Sequence, residues 1–300
     1  MAHDAVAPAL SHLPADSGPA ETAVRWTVRE AAESDAAGRP QGIYRLPGGG
    51  LAAVRQNPFS MASFEPEHGV RLVATPAGFA SGDLRAHPAW LALAAWLAGP
   101  ETQVMHVGAV AFAGRGVLLV GRGGAGKTTS TLACALAGGD FLGDDVCVVE
   151  VGADPAEPAR VHSLYATVKL NADSASRLGA GAWPRLGTTP WNKVVAGLPA
   201  GMRVVASAPI AAIVVLAPPG SHPAGASELR SAQAVRAIAA TGASPASGAM
   251  NPALWLSLAT RLVRRAPALR LPITWDLHGV AADIRRIAEE AASRQPRPTG

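Results

Sequence analysis

A glycine-rich octapeptide constrains this 300-residue chain more than any other feature of its sequence. Residues 121–128, GRGGAGKT, fit the pattern G-x-x-x-x-G-K-[ST]. The apolar run 116–120 precedes them, and a helix-favouring stretch follows until Gly138 and Gly139. A strand, a glycine loop and a helix in this order predict a phosphate-binding loop in an α/β fold.

The residue types of this loop suit a polyphosphate ligand. Glycines let backbone N–H groups turn inward and approach phosphate closely, and the first helical turn adds further unpaired N–H groups. Lys127 can reach the β- and γ-phosphates, and the Thr128 hydroxyl can coordinate Mg²⁺. We therefore expect ATP, or another nucleoside triphosphate, and Mg²⁺ to bind here. The predicted nucleotide-binding residues are Gly121, Arg122, Gly123, Gly124, Ala125, Gly126, Lys127, Thr128 and Thr129.

Two adjacent carboxylates form the second candidate element. Asp144 and Asp145 follow Lys127 by 17 and 18 residues and precede the apolar run 146–149. One carboxylate could hold Mg²⁺, while the other takes a proton from an attacking hydroxyl. We predict Asp144 as the base and Asp145, with Thr128, as metal ligands. The reverse order stays open, and so does a solvated turn without a chemical role.

Residues 106–150 resemble the catalytic core of the HPr kinase/phosphorylase family, including its HPr-kinase-like serine kinases, a group related to phosphoenolpyruvate carboxykinase. The shared features, in order, are His106, the Gly114-Arg115-Gly116 turn, an apolar strand, the glycine loop and the Asp pair after one short helix. Residues 163–170, SLYATVKL, are similar to a further block of the kinase-like proteins.

The resemblance implies a kinase with Lys127, Asp144 and His106 as catalytic residues. The implied reaction is ATP-dependent transfer of a phosphoryl group to a hydroxyl, most simply a serine of a protein or peptide. His106 has two interpretations, a place near the phosphates or a place in the core. Because HPr kinases form hexamers, a homo-oligomer stays open.

Two departures from the family pattern leave the acceptor open. Arg122-Gly123-Gly124 stands where the family usually has a serine-containing loop, and the second glycine-rich signature of HPr kinases is absent. HPr as the acceptor and reversible phosphorolysis are therefore not implied. Two other functions stay open: a slowly hydrolysing nucleotide-binding switch or scaffold, and a kinase for a small hydroxylated molecule.

Composition excludes several other classes of protein. A hydrophobic content of 49% suffices for a sizeable core, and the net charge of +4 is scattered without a basic run, which argues against a nucleic-acid partner. The longest apolar runs, 91–98 and 210–217, are shorter than the roughly 18 residues that cross a bilayer. Cys134 and Cys147 form no metal-binding spacing. We expect a cytoplasmic protein that does not associate with membranes.

The chain order predicts an α/β fold, with a P-loop kinase core of the HPr kinase/phosphoenolpyruvate carboxykinase type and a small β-rich N-terminal part. The predicted domains are a disordered tail (1–20), the β-rich part with one helix (21–100), the kinase core (101–293) and a second tail (294–300). Predicted strands are 24–28, 42–46, 51–55, 70–74, 105–112, 161–170, 211–216 and 269–273. Predicted helices are 88–97, 171–178, 231–240, 252–264 and 280–292, with an irregular loop at 179–192.

Overall fold

A computed structural model describes residues 2–12, 26–32, 40–218, 225–242 and 252–294, and the fold is mixed α/β with several sheets. Its strands are β1 (Trp26–Glu30), β2 (Gly42–Arg45), β3 (Leu51–Arg55), β4 (Ser60–Glu65), β5 (Gly69–Ala74), β6 (Thr102–Met105), β7 (Gly108–Phe112), β8 (Arg115–Val120), β9 (Asp140–Gly143), β10 (Cys147–Glu150), β11 (Arg160–Ser163), β12 (Thr167–Leu170), β13 (Arg185–Thr188), β14 (Val194–Gly197), β15 (Ser207–Ala217), β16 (Ser227–Glu228) and β17 (Ala268–Pro272). Its α-helices are α1 (Ala2–Leu10), α2 (Pro76–Ala80), α3 (Gly82–Ala86), α4 (Trp90–Leu97), α5 (Lys127–Leu136), α6 (Ala172–Arg177), α7 (Ser231–Gly242), α8 (Pro252–Arg265) and α9 (Leu277–Arg294).

The chain forms two compact units. Unit 1 comprises Met1–Ala98, Tyr165–Ala175 and Gly181–Leu198, and unit 2 comprises Gly99–Leu164, Ser176–Ala180 and Pro199–Gly300. The predicted boundary near residue 100 therefore coincides with a division of the chain. The predicted single core 101–293 differs from the structure, because two of its segments cluster with unit 1.

Unit 1 contains two sheets. The larger has the strand order β1-β5-β4-β3-β2, in which β1 and β5 are parallel and the other pairs antiparallel. The smaller has the order β12-β14-β13. Buried Ala5 and Val6 of α1 pack with Leu72 of β5, and with Phe79 and Leu84 of the short helices. Burial of each large apolar side chain stabilises such a core by about 1.5–3 kcal/mol.

Three predictions for the N-terminal part need correction. The predicted tail 1–20 contains helix α1, held by its buried apolar residues, while 13–20 lie outside the described residues. The single helix predicted for 21–100, at 88–97, is confirmed as α4, but two short helices precede it, since the Thr75 and Ser81 hydroxyls accept hydrogen bonds from Gly78 N–H and Leu84 N–H and so cap α2 and α3. Strand β4 was also not predicted, because its polar alternation is weak.

Unit 2 contains the large sheet that carries the candidate site. Its strand order is β6-β10-β11-β15-β8-β7-β9, and β17 pairs with the second half of β15. Helices α5 and α9 pack on one face of this sheet, and α7 and α8 pack on the other. Strand β15 is buried along nearly its whole length, as is typical of a parallel strand between two helical layers.

Some predicted elements of the core were merged or missed. The predicted strand 105–112 is two strands, with His106 between β6 and β7. The predicted strand 161–170 divides into β11 in unit 2 and β12 in unit 1, because the chain leaves the large sheet after Ser163. The predicted loop 179–192 contains β13, and β9 was not predicted. The remaining predicted strands and helices are confirmed, with bounds that differ by a few residues, except that residues 24 and 25 of the predicted strand 24–28 lie outside the described residues.

Within the described residues, no helix is both long enough and apolar enough to cross a bilayer. The predicted C-terminal tail begins one residue too early, because Arg294 ends α9, and residues 295–300 lie outside the described part of the chain.

Candidate active site

Three chain segments meet at one edge of the large sheet: the start of β7, the end of β8 and the end of β9. Strand β7 is antiparallel to both neighbours, with Gly108 opposite Leu119 and Ala109 opposite Gly143. Strands β8 and β9 therefore run in the same direction and end at the same edge, about 10 Å apart, since two strand spacings separate them. The carboxyl ends of strands are the usual place for a ligand in such α/β sheets.

The glycine loop leaves this edge after β8 in a conformation that favours glycine. Gly124 and Gly126 have φ angles of 80° and 86°, in the left-handed region. A Cβ atom at Gly126 would lie 2.7 Å from Cδ1 of Ile273, whereas a Cβ at Gly123 or Gly124 would meet nothing within 4 Å. The loop is thus packed against the protein at its end and is open to solvent at its middle, where a phosphate could approach.

Lys127 begins helix α5 and directs its charge into the loop. The residue is only 6% exposed, and its Nζ donates hydrogen bonds to the carbonyl oxygens of Gly121, at 2.8 Å, and Arg122, at 3.4 Å. These bonds offset the cost of burying the ammonium group. Thr128 and Thr129 follow in the first turn of α5 and are half-buried. The loop therefore carries a fixed positive charge beside its glycines.

The two carboxylates lie in a strained turn between β9 and β10. Asp144 is 1% exposed and Asp145 is 7% exposed, which argues against a solvated turn. The N–H of Val146 donates to the carbonyl oxygen of Asp144 at 2.8 Å, and Asp145 between them has φ 65°. This is the rare, left-handed kind of γ-turn. Such a conformation costs on the order of 1–3 kcal/mol and is found mainly at functional sites.

His106 lies at the same edge, just before β7. Its Nε2 is 3.4 Å from Oδ1 of Asp145, and its side chain is 40% exposed. The structure thus brings His106 together with one carboxylate of the pair and does not bury it in the core. A polar contact of this kind can orient the Asp145 side chain.

Cys147 packs behind the carboxylate turn. Burial, together with the charges of Asp144 and Asp145, raises the pKa of the Cys147 thiol far above its ordinary value. The thiol therefore stays protonated at neutral pH, and its Sγ donates to the carbonyl oxygen of Val107 at 3.6 Å. This cysteine therefore behaves as a small buried apolar residue.

An ion pair that was not predicted fixes the outer edge of β9. The Arg203 guanidinium donates from Nε and Nη2 to both carboxylate oxygens of Asp140, the Nη2–Oδ2 distance being 2.5 Å. Two backbone hydrogen bonds extend this attachment: Phe141 N–H donates to the carbonyl oxygen of Arg203, and Val205 N–H donates to the carbonyl oxygen of Phe141. The two charged residues stand 63 positions apart, so no local sequence pattern could reveal the pair. The pair holds the strand that presents Asp144.

The donors at this edge suit Mg²⁺ bound together with a nucleotide. Mg²⁺ is usually held by one or two carboxylates, a hydroxyl and substrate phosphates, with no need for an all-protein cage. Asp145 and Asp144 offer carboxylate oxygens, and Thr128 offers a hydroxyl on α5. Among the described residues, no group of three or more His, Cys, Asp or Glu side chains could hold a metal ion by itself.

Comparison with known proteins gives limited information. No protein-family model matches the chain, and no curated protein matches its sequence. A solved structure with some similarity is the Hpr(Ser) kinase/phosphatase from Coxiella burnetii. The TM-score is 0.36 and the sequence identity 14%, and the match covers 64% of this chain and 97% of that one. A similarity this low does not define the family or the function of the chain.

Proposed function

We propose that this protein is a kinase of the HPr-kinase-like type, which transfers the γ-phosphoryl group of ATP to a hydroxyl, most simply a serine of a protein or peptide. The observation that carries the proposal is the shared sheet edge. There the buried ammonium group of Lys127, inside the glycine loop, and the buried carboxylates of Asp144 and Asp145 follow β8 and β9, which end at the same edge with β7 between them. Phosphoryl transfer depends on this combination of positioning and charge.

Each residue has a distinct role in this proposal. Gly121, Gly124 and Gly126 shape the loop so that its N–H groups can face the phosphates. Lys127 neutralises charge on the β- and γ-phosphates and holds them in place. When bound, Mg²⁺ would supply positive charge that offsets the negative charge of the phosphates. Thr128 would contribute a ligand to that ion.

The two carboxylates have different roles in this proposal. We assign the metal ligand to Asp145, whose orientation His106 helps to fix across 3.4 Å. Asp144 then accepts the proton from the attacking hydroxyl. The strained turn supports a chemical role for the pair, because it holds both carboxylates in buried positions where an ordinary turn would leave them in solvent.

Isosteric amides separate the two roles. In Asp145→Asn we expect the Mg²⁺ concentration for half-maximal transfer to rise at least tenfold, because a charged ligand is lost. In Asp144→Asn we expect the rate at saturating Mg²⁺ to fall 10²–10⁴-fold, the usual contribution of a general base, with the Mg²⁺ requirement little changed. The opposite pattern would exchange the roles, and no loss in either variant would refute them.

The acceptor is tested with labelled nucleotide. Purified protein, γ-labelled ATP and Mg²⁺ are incubated with a lysate of the source cell, and Lys127→Ala and Asp144→Asn serve as controls. Label on a serine of one protein or peptide, absent with both variants, is the expected result. Label on a metabolite would indicate a small-molecule kinase. ATP binding without any transfer, and without an effect of Asp144→Asn, would indicate a nucleotide-binding switch.

A further inference from the structure

The edge of the large sheet continues past the glycine loop on the side away from the carboxylates. Strand β15 is parallel to β8, and β17 is parallel to β15, so all three end at this edge. The order along the edge is β9, β7, β8, β15 and β17. The end of β17 therefore lies two strand spacings, about 10 Å, from the loop, and the end of β9 lies equally far on the other side.

The segment after β17 is fixed at both ends, and its first residue lies beside the loop. Ile273 N–H donates to the carbonyl oxygen of Ala217 at 3.0 Å, and Cδ1 of Ile273 lies 2.7 Å from the position of a Cβ at Gly126. Three residues later, Oδ1 of Asp276 accepts a hydrogen bond from His278 N–H and caps α9. Only two residues lie between these anchors, so the position of Trp275 is closely restricted.

Trp275 is a large aromatic residue that the fold leaves in solvent. It is 68% exposed, and the guanidinium carbon of Arg177 lies 4.5 Å from the centroid of its ring. Such stacking orients the ring and costs little desolvation. A rigid, exposed indole next to a phosphate loop is the kind of surface on which a nucleic-acid base stacks.

We propose that Trp275 and Arg177 form the base-binding platform for a purine nucleoside triphosphate. This inference rests on the proposed function, because the carboxylates mark where the γ-phosphate lies. If the γ-phosphate points to the β9 side of the loop, the α-phosphate, ribose and base extend to the β17 side, where Trp275 stands. A purine offers a larger π-face than a pyrimidine, so the platform favours ATP and GTP over CTP and UTP.

The chain offers a matched control. Trp191 is also exposed, at 71%, and the guanidinium carbon of Arg55 lies 5.9 Å from its ring centroid. Trp191 belongs to unit 1 and does not follow a strand of the large sheet. If exposed tryptophans affected nucleotide binding only through general surface properties, both would behave alike.

The test compares the binding of two probes, MgATP and magnesium inorganic triphosphate, by isothermal titration calorimetry. Triphosphate occupies the loop but has no base. The proteins are the wild type, Trp275→Ala, Trp275→Phe, Trp191→Ala and Lys127→Ala. We expect Trp275→Ala to weaken MgATP binding on the order of tenfold to a hundredfold and to leave triphosphate binding unchanged. Trp275→Phe should retain most of the affinity, and Trp191→Ala should match the wild type. MgCTP should bind more weakly than MgATP to the wild type and to Trp191→Ala, and Trp275→Ala should lose this difference.

The remaining outcomes distinguish this inference from the proposed function. If Lys127→Ala abolishes binding of both probes but Trp275→Ala binds MgATP like the wild type, the platform is refuted and the phosphate site stands. If Trp275→Ala weakens both probes equally, the residue acts through Ile273 and the loop, and base stacking is refuted. If the wild type binds neither probe, the proposed function and the platform fail together.

Discussion

Gly108 begins strand β7 where helix α5 packs on it, between the glycine loop and the carboxylates. A Cβ atom at Gly108 would lie 2.2 Å from Oγ1 of Thr131. Thr131 is fully buried, and its Oγ1 has no hydrogen-bond partner among the described residues. Gly108 is outside the left-handed region of φ, so Gly108→Ala changes packing and leaves the backbone unstrained. This pair allows a sharp test of how α5 is placed on the sheet.

The magnitudes follow from the contact distances. In Gly108→Ala the Thr131 side chain, the helix or the strand must move by about 1 Å, and overpacking of this kind costs about 1–3 kcal/mol. Thr131→Ala removes a buried methyl, worth about 1 kcal/mol, but also an unpaired hydroxyl whose burial costs about as much or more. Its net effect on stability should therefore be at most about 1 kcal/mol. In the double variant the added methyl lies 3.5 Å from the carbonyl oxygen of Lys127 and 3.5 Å from the Cβ at position 131, which are ordinary van der Waals distances. We expect the coupling energy to favour the double variant by about 1–3 kcal/mol.

The assay is urea unfolding of the wild type, both single variants and the double variant, followed by circular dichroism and tryptophan fluorescence. We expect the free energy of unfolding of the double variant to be higher than that of Gly108→Ala alone. The double variant should also bind MgATP like the wild type, because its loop is unchanged. If the effects of the two single substitutions on stability simply add in the double variant, α5 does not approach β7 as closely as the structure shows. The placement of the glycine loop relative to the carboxylates would then be wrong as well.

Three further predictions concern the same region. Asp145→Gly should abolish phosphoryl transfer, because it removes the carboxylate. It should nevertheless raise the free energy of unfolding by about 1 kcal/mol, because glycine adopts φ 65° without strain. A lower stability of this variant in thermal denaturation would show that the turn is not strained. Arg203→Ala should lower the free energy of unfolding by about 1–3 kcal/mol, because it leaves the buried Asp140 carboxylate without its guanidinium partner. As a control, Arg286→Ala removes the exposed ion pair with Asp283 on α9 and should not change the free energy of unfolding measurably. Equal effects of the two substitutions would refute the role of the Asp140–Arg203 pair. Burial raises the pKa of Cys134 to about 12, so the unfolded chain loses this thiol proton at a lower pH than the folded chain. The contribution of this thiol to the free energy of unfolding should therefore be constant below about pH 8.5 and decrease as the pH rises towards 12. In denaturation curves at several pH values, Cys134→Ala should lose less stability over this range than the wild type, and an equal loss in both proteins would contradict the effect.

The sequence allowed the position of the candidate site to be predicted because its pieces are local. Residues 121–128 fit a motif whose glycines and lysine are set by phosphate chemistry, and the strand before it and the helix after it were visible as periodic patterns. The two carboxylates were found by their distance from Lys127. Elements with long apolar runs, such as β15 and α8, were also predicted, because burial on both sides or on one face leaves a clear pattern.

The parts that could not be predicted depend on distant contacts. Residues 161–170 are predicted from the sequence as one strand, yet the chain turns after Ser163 and contributes β11 and β12 to sheets in different units. Strand β9 is only four residues long and owes its place to pairing with β7 and with the segment around Arg203. The γ-turn at Asp145 and its contact with His106 likewise have no local signature.

The most direct test of the central claim is a single-turnover measurement of γ-phosphoryl transfer from ATP, with nucleotide binding measured on the same samples. The proteins are the wild type, Lys127→Ala and Asp144→Asn, each with Mg²⁺ and with EDTA. If Lys127 and the carboxylates form one site, the wild type transfers phosphate only with Mg²⁺, Lys127→Ala loses binding and transfer together, and Asp144→Asn keeps binding and loses transfer. If Asp144→Asn transfers phosphate at the wild-type rate while the wild type binds ATP, the two halves of the sheet edge are not one catalytic site.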